Sequence, residues 1–172
     1  KRPVHGRLLI SCGEVDAYSP DWYANSDVDW FCRINGINVH VASMGRQLPE
    51  GIPESLPRLY EQVSEIEMAK WHGTDGVWYN EELLRTWLGM EEPQRMARYL
   101  YTFVVMARKG FYSFAPITPD VTDGDYYLMA KPRNYEDRAL EGIVEREIEY
   151  LNFEDLDSFT PVDLVRLLNN MR

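Results

Sequence analysis

The sequence predicts an α+β fold: a mostly antiparallel sheet, with a central Asn-Gly hairpin over about residues 29–43, packed against several α-helices. Three observations predict it. An alternating stretch reverses at Asn35-Gly36, later segments repeat their apolar residues at helical spacing, and two strand-like runs follow around a second turn. The chain of 172 residues, 45% of them hydrophobic, is the size of a single domain with one core, so one domain over 1–172 is expected.

Taken in order, Gly6–Cys12 ("GRLLISC") reads as a short buried strand, because its consecutive branched aliphatics leave no polar face. The polar, aromatic connection "GEVDAYSPDWYANSDVD" follows. Connections of that length without structure of their own are often functional. The hairpin comes next. Asn-Gly suits a two-residue turn that needs positive φ at both central positions, so Ile34 faces Ile37, Cys32 pairs with Val39 and Phe31 with His40. Alternation puts Trp30, Cys32, Ile34, Ile37, Val39 and Val41 on a core face. Asp29, Phe31, Arg33, Asn38, His40 and Ala42 form the face expected to look at water. Cys32 and His40 then point to opposite sides, which excludes a Cys-His dyad on this hairpin.

After a connector rich in proline and glycine, Leu56, Leu59, Tyr60, Val63 and Ile66 predict an amphipathic helix from Ser55 to about Lys70. Asn80 offers an N-cap for a short helix through Leu88 that Gly89 closes. Pro93 and Gly110 bracket a longer helix, whose residues Met96, Tyr99, Leu100, Phe103, Val104 and Ala107 span an arc of about 140°. The strands "FYSFAPI" and "DYYLMAKP" flank a turn at Asp123-Gly124. Residues 135–153 fit a helix through Leu140, Ile143, Val144, Ile148 and Leu151. They also alternate like a strand, with Glu145, Glu147 and Glu149 on one face; length and charge favour the helix. Thr160, with Asp163 at the third helical position, predicts a capped C-terminal helix through Asn170.

Charge bounds the partners. A formal net charge of −10 repels nucleic acid and anionic membranes and suits a basic protein surface. No apolar run approaches the roughly 18 residues of a membrane-spanning helix. "KRPVHGRLLISC" is too short for a secretion signal, although a chain opening at Lys1 leaves a removed leader possible in principle. Cys12 and Cys32, each inside an apolar run, read as buried thiols of a reducing, cytoplasmic setting.

Catalytic and metal motifs are missing from the sequence: "VASMG" lacks the first glycine of a nucleophile elbow, no phosphate-binding loop occurs, and the three histidines are scattered. No cofactor or metal is expected. The most pocket-like stretch is "KWHGTDGVWYNEE", where Trp71, His72, Asp75 and Trp78 could line a small-molecule or enzyme site. A second candidate is the loop holding Tyr18, Trp22 and Tyr23 among aspartates, aromatic anchors in an acidic setting. Residues 135–163, with ten acidic and two basic side chains, extend that acidic character through Glu145, Glu147 and Glu149. Residues 93–110, by contrast, carry Arg95, Arg98, Arg108 and Lys109 and no acid. With the element order of a winged helix, Arg95 and Arg98 make a nucleic-acid regulator a rival reading. The leading expectation is a non-catalytic protein-binding factor, of the inhibitor, immunity or adaptor kind, with an acidic, aromatic-rich surface.

Overall fold

A six-stranded mixed sheet organises the chain in the computed structural model, which describes residues 22–23, 26–68, 76–118, 120 and 122–169. Its strands are β1 (Asp29–Ile34), β2 (Ile37–Ala42), β3 (Val77–Tyr79), β4 (Tyr112–Ala115), β5 (Tyr127–Pro132) and β6 (Glu145–Arg146). They lie in the order β3-β5-β4-β2-β1-β6. Pairing is antiparallel for β1 with β2, β4 with β5 and β3 with β5, and parallel for β2 with β4 and β1 with β6. The helices are α1 (Ile52–Glu65), α2 (Glu81–Leu88), α3 (Pro93–Arg108) and α4 (Leu164–Asn169), and Phe153–Asp155 form one 3-10 turn. The class is α+β. None of these helices is long and apolar enough to cross a membrane. The strand expected at Gly6–Cys12 lies outside the described residues.

Between β1 and β2, Asn35 (φ 50°) and Gly36 (φ 76°) both take positive φ, and Ile34 lies opposite Ile37. Trp30, Cys32, Val39 and Val41 share one face with Tyr112 and Phe114 of β4. Tyr126 meets Trp30 edge-on, and Phe153 packs against Tyr112 and Phe114. This is the expected core face.

The other face corrects the expectation that it looks at water. Asp29, Phe31, His40 and Ala42 are buried because two helices cover them. Tyr60 of α1 lies edge-on to Phe31, and Phe103 of α3 sits 6.4 Å from His40, ring centre to ring centre. Burying a side chain such as Phe31 completely is worth roughly 1.5–3 kcal/mol, and Phe31 and Ala42 on this face are two of the apolar contributions that hold helices over it.

Local chemistry fixes most helix ends. Asn80 accepts a hydrogen bond from the Leu83 amide (3.2 Å) at the start of α2, and Gly89 closes it at φ 60°. Pro93 opens α3, whose Met96, Leu100, Phe103, Met106 and Ala107 are buried. Helix α1 begins earlier than its periodicity predicts, at Ile52 after Gly51 (φ 83°), and stops at Glu65. At the C-terminus Asp163, not Thr160, caps the helix: its Oδ1 accepts from the Arg166 amide (3.0 Å), while Thr160 Oγ1 donates to Asp157 (2.7 Å).

The helix expected over 135–153 does not form. This segment is irregular apart from β6 and is held by side chains of the β1–β2 hairpin. Asn38 Nδ2 donates to the Arg138 carbonyl (2.7 Å), and Tyr135 Oη receives the Asn38 amide (3.0 Å). The Arg33 and Asn35 amides add bonds to the Val144 (2.9 Å) and Arg146 (3.0 Å) carbonyls, so part of the segment's backbone is satisfied from a distance without coiling.

Candidate functional site

Asn35 builds the most site-like surface. Its Oδ1 accepts from the Ile148 amide (2.7 Å), and its Nδ2 donates to the carbonyls of Ile148 (2.9 Å) and Leu151 (2.7 Å). Ile148 is thereby pinned inward and is buried, while its neighbours Glu147 and Glu149 stand exposed. Further along, Phe153 anchors the 3-10 turn, and Asn152 Oδ1 accepts from the Glu154 amide (3.1 Å). A two-way bridge between Tyr126 and Val162 (3.0 and 2.8 Å) then returns the chain beneath the sheet.

These three tethers leave a groove of about 950 Å³ between residues 147 and 167. Its rim carries Glu147, Glu149, Asp155 and Asp163 against one base, Arg166. Leu151, Leu156 and Leu167 supply an apolar floor. Tyr150 projects from it, 82% exposed.

Outside the groove some acids are paired, Glu141 with Arg58, Glu81 with Arg85, and both Asp137 and Glu145 with Arg33, while others such as Glu54, Glu82 and Glu92 carry no ion pair among the described residues. Arg33 donates to Asp137 and holds that carboxyl below the usual aspartate range. Among the described residues, the carboxylates of Glu147, Glu149 and Asp155 have no such partner.

The predicted site residues separate. Tyr18, Trp71, His72 and Asp75 lie outside the described residues. Trp22 is half-buried, edge-on to Tyr23, which is itself buried against Tyr60; Tyr23 belongs to the core and leaves Trp22 as that pair's surface. Trp78 is half-buried, with Lys131 Nζ 5.7 Å from its ring centre. Glu145 is tied to Arg33 at 3.2 Å, whereas Glu147 and Glu149 meet in the groove. Cys32 is a buried free thiol whose pKa burial drives upward, away from nucleophilic use.

On the opposite side of the sheet, Arg95 and Arg98 are exposed, but Lys109 Nζ donates to the Val63 carbonyl (3.0 Å) at the end of α1. Strands β4 and β5 lie inside the six-stranded sheet and do not form a detached two-stranded wing.

One buried row escaped the sequence. Ser113 Oγ lies 2.6 Å from His40 Nδ1, and Asp29 Oδ2 lies 3.4 Å from His40 Nε2, across β4, β2 and β1. These are the residue types of nucleophilic catalysis, yet all three are fully buried and offer a substrate no surface. Their role is to tie three strands together. Residue spacing gives no hint of it, since His40 and Ser113 meet only through the parallel pairing of β2 with β4. Arg46 is a second buried tie, donating to the Asp125 carbonyl (2.8 Å) and covering the Tyr126 ring, whose hydroxyl pKa burial pushes up to about 12.

No protein-family model, curated protein or solved structure matches this chain.

Proposed function

We propose that this chain is a cytoplasmic, non-catalytic protein-binding factor, of the inhibitor, immunity or adaptor kind, that receives a basic surface of another protein in the groove between residues 147 and 167. The observation that carries the reading is the combination of unpaired carboxylates on Glu147, Glu149 and Asp155 with an apolar floor and the exposed ring of Tyr150. An aromatic anchor on an apolar floor contributes affinity, and a ring of like charge steers the encounter and selects its sign. The net charge of −10 adds a long-range field in the same sense. Deep burial of the Asp29, His40 and Ser113 side chains argues against a hydrolytic role for them.

The test compares the native chain with a Glu147→Lys/Glu149→Lys variant as baits in cell lysate, eluted with rising salt. A stoichiometric basic protein that leaves with salt, and that neither the double variant nor Tyr150→Ala captures, supports the groove. Equal capture by the reversed bait refutes it. Recovery of nucleic acid alone moves the function to Arg95 and Arg98, and an empty capture moves it to small ligands near Trp78.

A further inference from the structure

At the far end of the sheet from the acidic groove, β3 is the terminal strand. Its partner bonds reveal which backbone groups it spends. The Asn80 amide donates to the Met129 carbonyl (2.8 Å), and the Arg133 amide donates to the Gly76 carbonyl (3.0 Å). With Trp78 opposite Lys131, residues 76, 78 and 80 are the hydrogen-bonded positions of this antiparallel pair. Val77 and Tyr79 therefore turn their N–H and C=O groups outward. Among the described residues neither backbone receives a hydrogen bond there.

The same two residues send their side chains to one face, where they meet α3. Val77 and Tyr79 form one wall, and Met96, Leu100, Tyr101 and Val104 the other, of an apolar pocket of about 390 Å³. Tyr101 is 68% exposed at its mouth, so a large apolar ring is left in water. The lining carries one net positive charge, opposite in sign to the whole chain. Glu81 and Arg85 line the pocket as an ion pair, Arg108 lines it too, and Arg95 and Arg98 stand exposed on α3.

We propose that the β3 edge is a peptide-docking site of the strand-addition type, taking an extended, alternately apolar segment with acidic flanks. Its main chain bonds the outward groups of Val77 and Tyr79 and continues the sheet beyond β3. Alternate side chains enter the pocket against α3, and the flanking carboxylates meet the exposed Arg95 and Arg98 of that helix. An exposed edge beside an apolar hollow is the arrangement that proteins without such a partner blunt with charge or proline. Here neither stands at Val77, Trp78 or Tyr79. This site is independent of the acidic groove, and either could fail alone.

The test pans a displayed library of random dodecapeptides on the full chain and follows amide hydrogen exchange by NMR. In the free protein the Val77 and Tyr79 amides should exchange fast while those of Trp78 and Asn80 are protected. Recovered peptides should alternate apolar residues between acidic flanks, and their binding should slow exchange at Val77 and Tyr79. N-methylation of the peptide at alternate residues should weaken binding by about tenfold or more, since each methyl removes a main-chain donor and leaves the carbonyl it met without a partner. Val77→Pro removes the outward N–H and the valine wall of the pocket while sparing the ladder bonds of residues 76, 78 and 80, and should abolish binding; Val104→Glu, which fills the pocket with charge, should do the same. The proposal is overturned by Val77 and Tyr79 amides as protected as Trp78 in the free protein, by a panning that enriches no such pattern, or by N-methylated peptides that bind unchanged.

Discussion

Asn35 and Asn80 sit at opposite ends of the sheet and use their side chains alike, each accepting one backbone N–H and donating to two carbonyls. Their surroundings differ. Asn80 is fully buried and joins regular elements: the start of α2, the Leu128 carbonyl of β5 and the Ser158 carbonyl. Asn35 is half-buried and holds chain that has almost no ladder of its own, since β6 is two residues long. Where an asparagine joins regular elements, the neighbouring strand is ordered by its ladder and its spare backbone groups lie in a row along the edge. Where it holds irregular chain, side chains such as Glu147 and Glu149 are turned outward between tethers, and a groove opens. The same polar side chain thus leaves two different surfaces at the two ends.

The contrast in burial predicts unequal costs. Asn80→Ala removes a helix cap and strands the buried Leu128 carbonyl and the half-buried Ser158 one, so it should cost about 2–3 kcal/mol in denaturant unfolding. Asn80→Ser, which keeps a cap oxygen but reaches neither carbonyl, should recover about 1 kcal/mol of that. A loss below about 1 kcal/mol for the alanine variant would mean that water reaches the Leu128 carbonyl after all, and the two ends would not differ in kind. At the other end, Asn35→Gly preserves the positive φ and deletes only the side-chain bonds. Its cost should be smaller, about 1–2 kcal/mol, because solvent can take over at a half-exposed site. Amide exchange should accelerate at Ile148 and its neighbours while the β1–β2 ladder stays protected.

This difference also separates what could be read in the chain from what could not. Both asparagines were legible locally, Asn35 as a turn residue and Asn80 as a cap, because those roles depend on neighbours within three positions. Their remaining bonds span between 48 and 116 residues, and no periodicity encodes them. The helix expected over 135–153 fails for that reason: Leu140, Ile143 and Ile148 do recur at helical spacing, but Asn35 and Asn38 take up backbone groups of Ile148, Leu151 and Arg138, and the Tyr135 hydroxyl bonds the hairpin in return. The solvent face assigned to Asp29 and His40 failed for a related reason. Residue type along a strand records polarity, and the helices that bury it come from elsewhere. Of the groove, Glu147 and Glu149 were visible as charge; the tethers that gather them with Tyr150 and Asp155 were not.

Smaller effects sharpen the idea that charge at the β6 end is divided between paired and unpaired acids. Glu145→Ala removes an exposed ion pair with Arg33, which keeps Asp137 and Asn38 as partners. It should change stability by about 0.5 kcal/mol or less. It should also leave partner capture intact, in contrast to reversal of Glu147 and Glu149. Loss of capture in Glu145→Ala would show that the acidic surface acts as an undivided field and that the groove has no privileged rim.

The turn at Asp157–Thr160 links the two ends, since Ser158 receives the Asn80 amide donor and Thr160 lines the groove. Thr160 Oγ1 and the Phe159 amide both donate to the Asp157 carboxylate and hold its pKa below the ordinary aspartate value. Because the folded pKa is the lower one, whatever the turn contributes is fully present above an unfolded value of about 3.9 and is lost as pH falls through the folded one. A carboxyl titration by NMR should therefore place Asp157 below that value, and Thr160→Val should move it upward. If the turn couples the ends, Ser158 and the Asn80 side-chain amide should shift with the same midpoint, whereas Ile148 at the Asn35 tether should not. A midpoint for Asp157 at or above the ordinary range would show that Thr160 is free in solution, and the helix-capping role expected of it would then be open to it again.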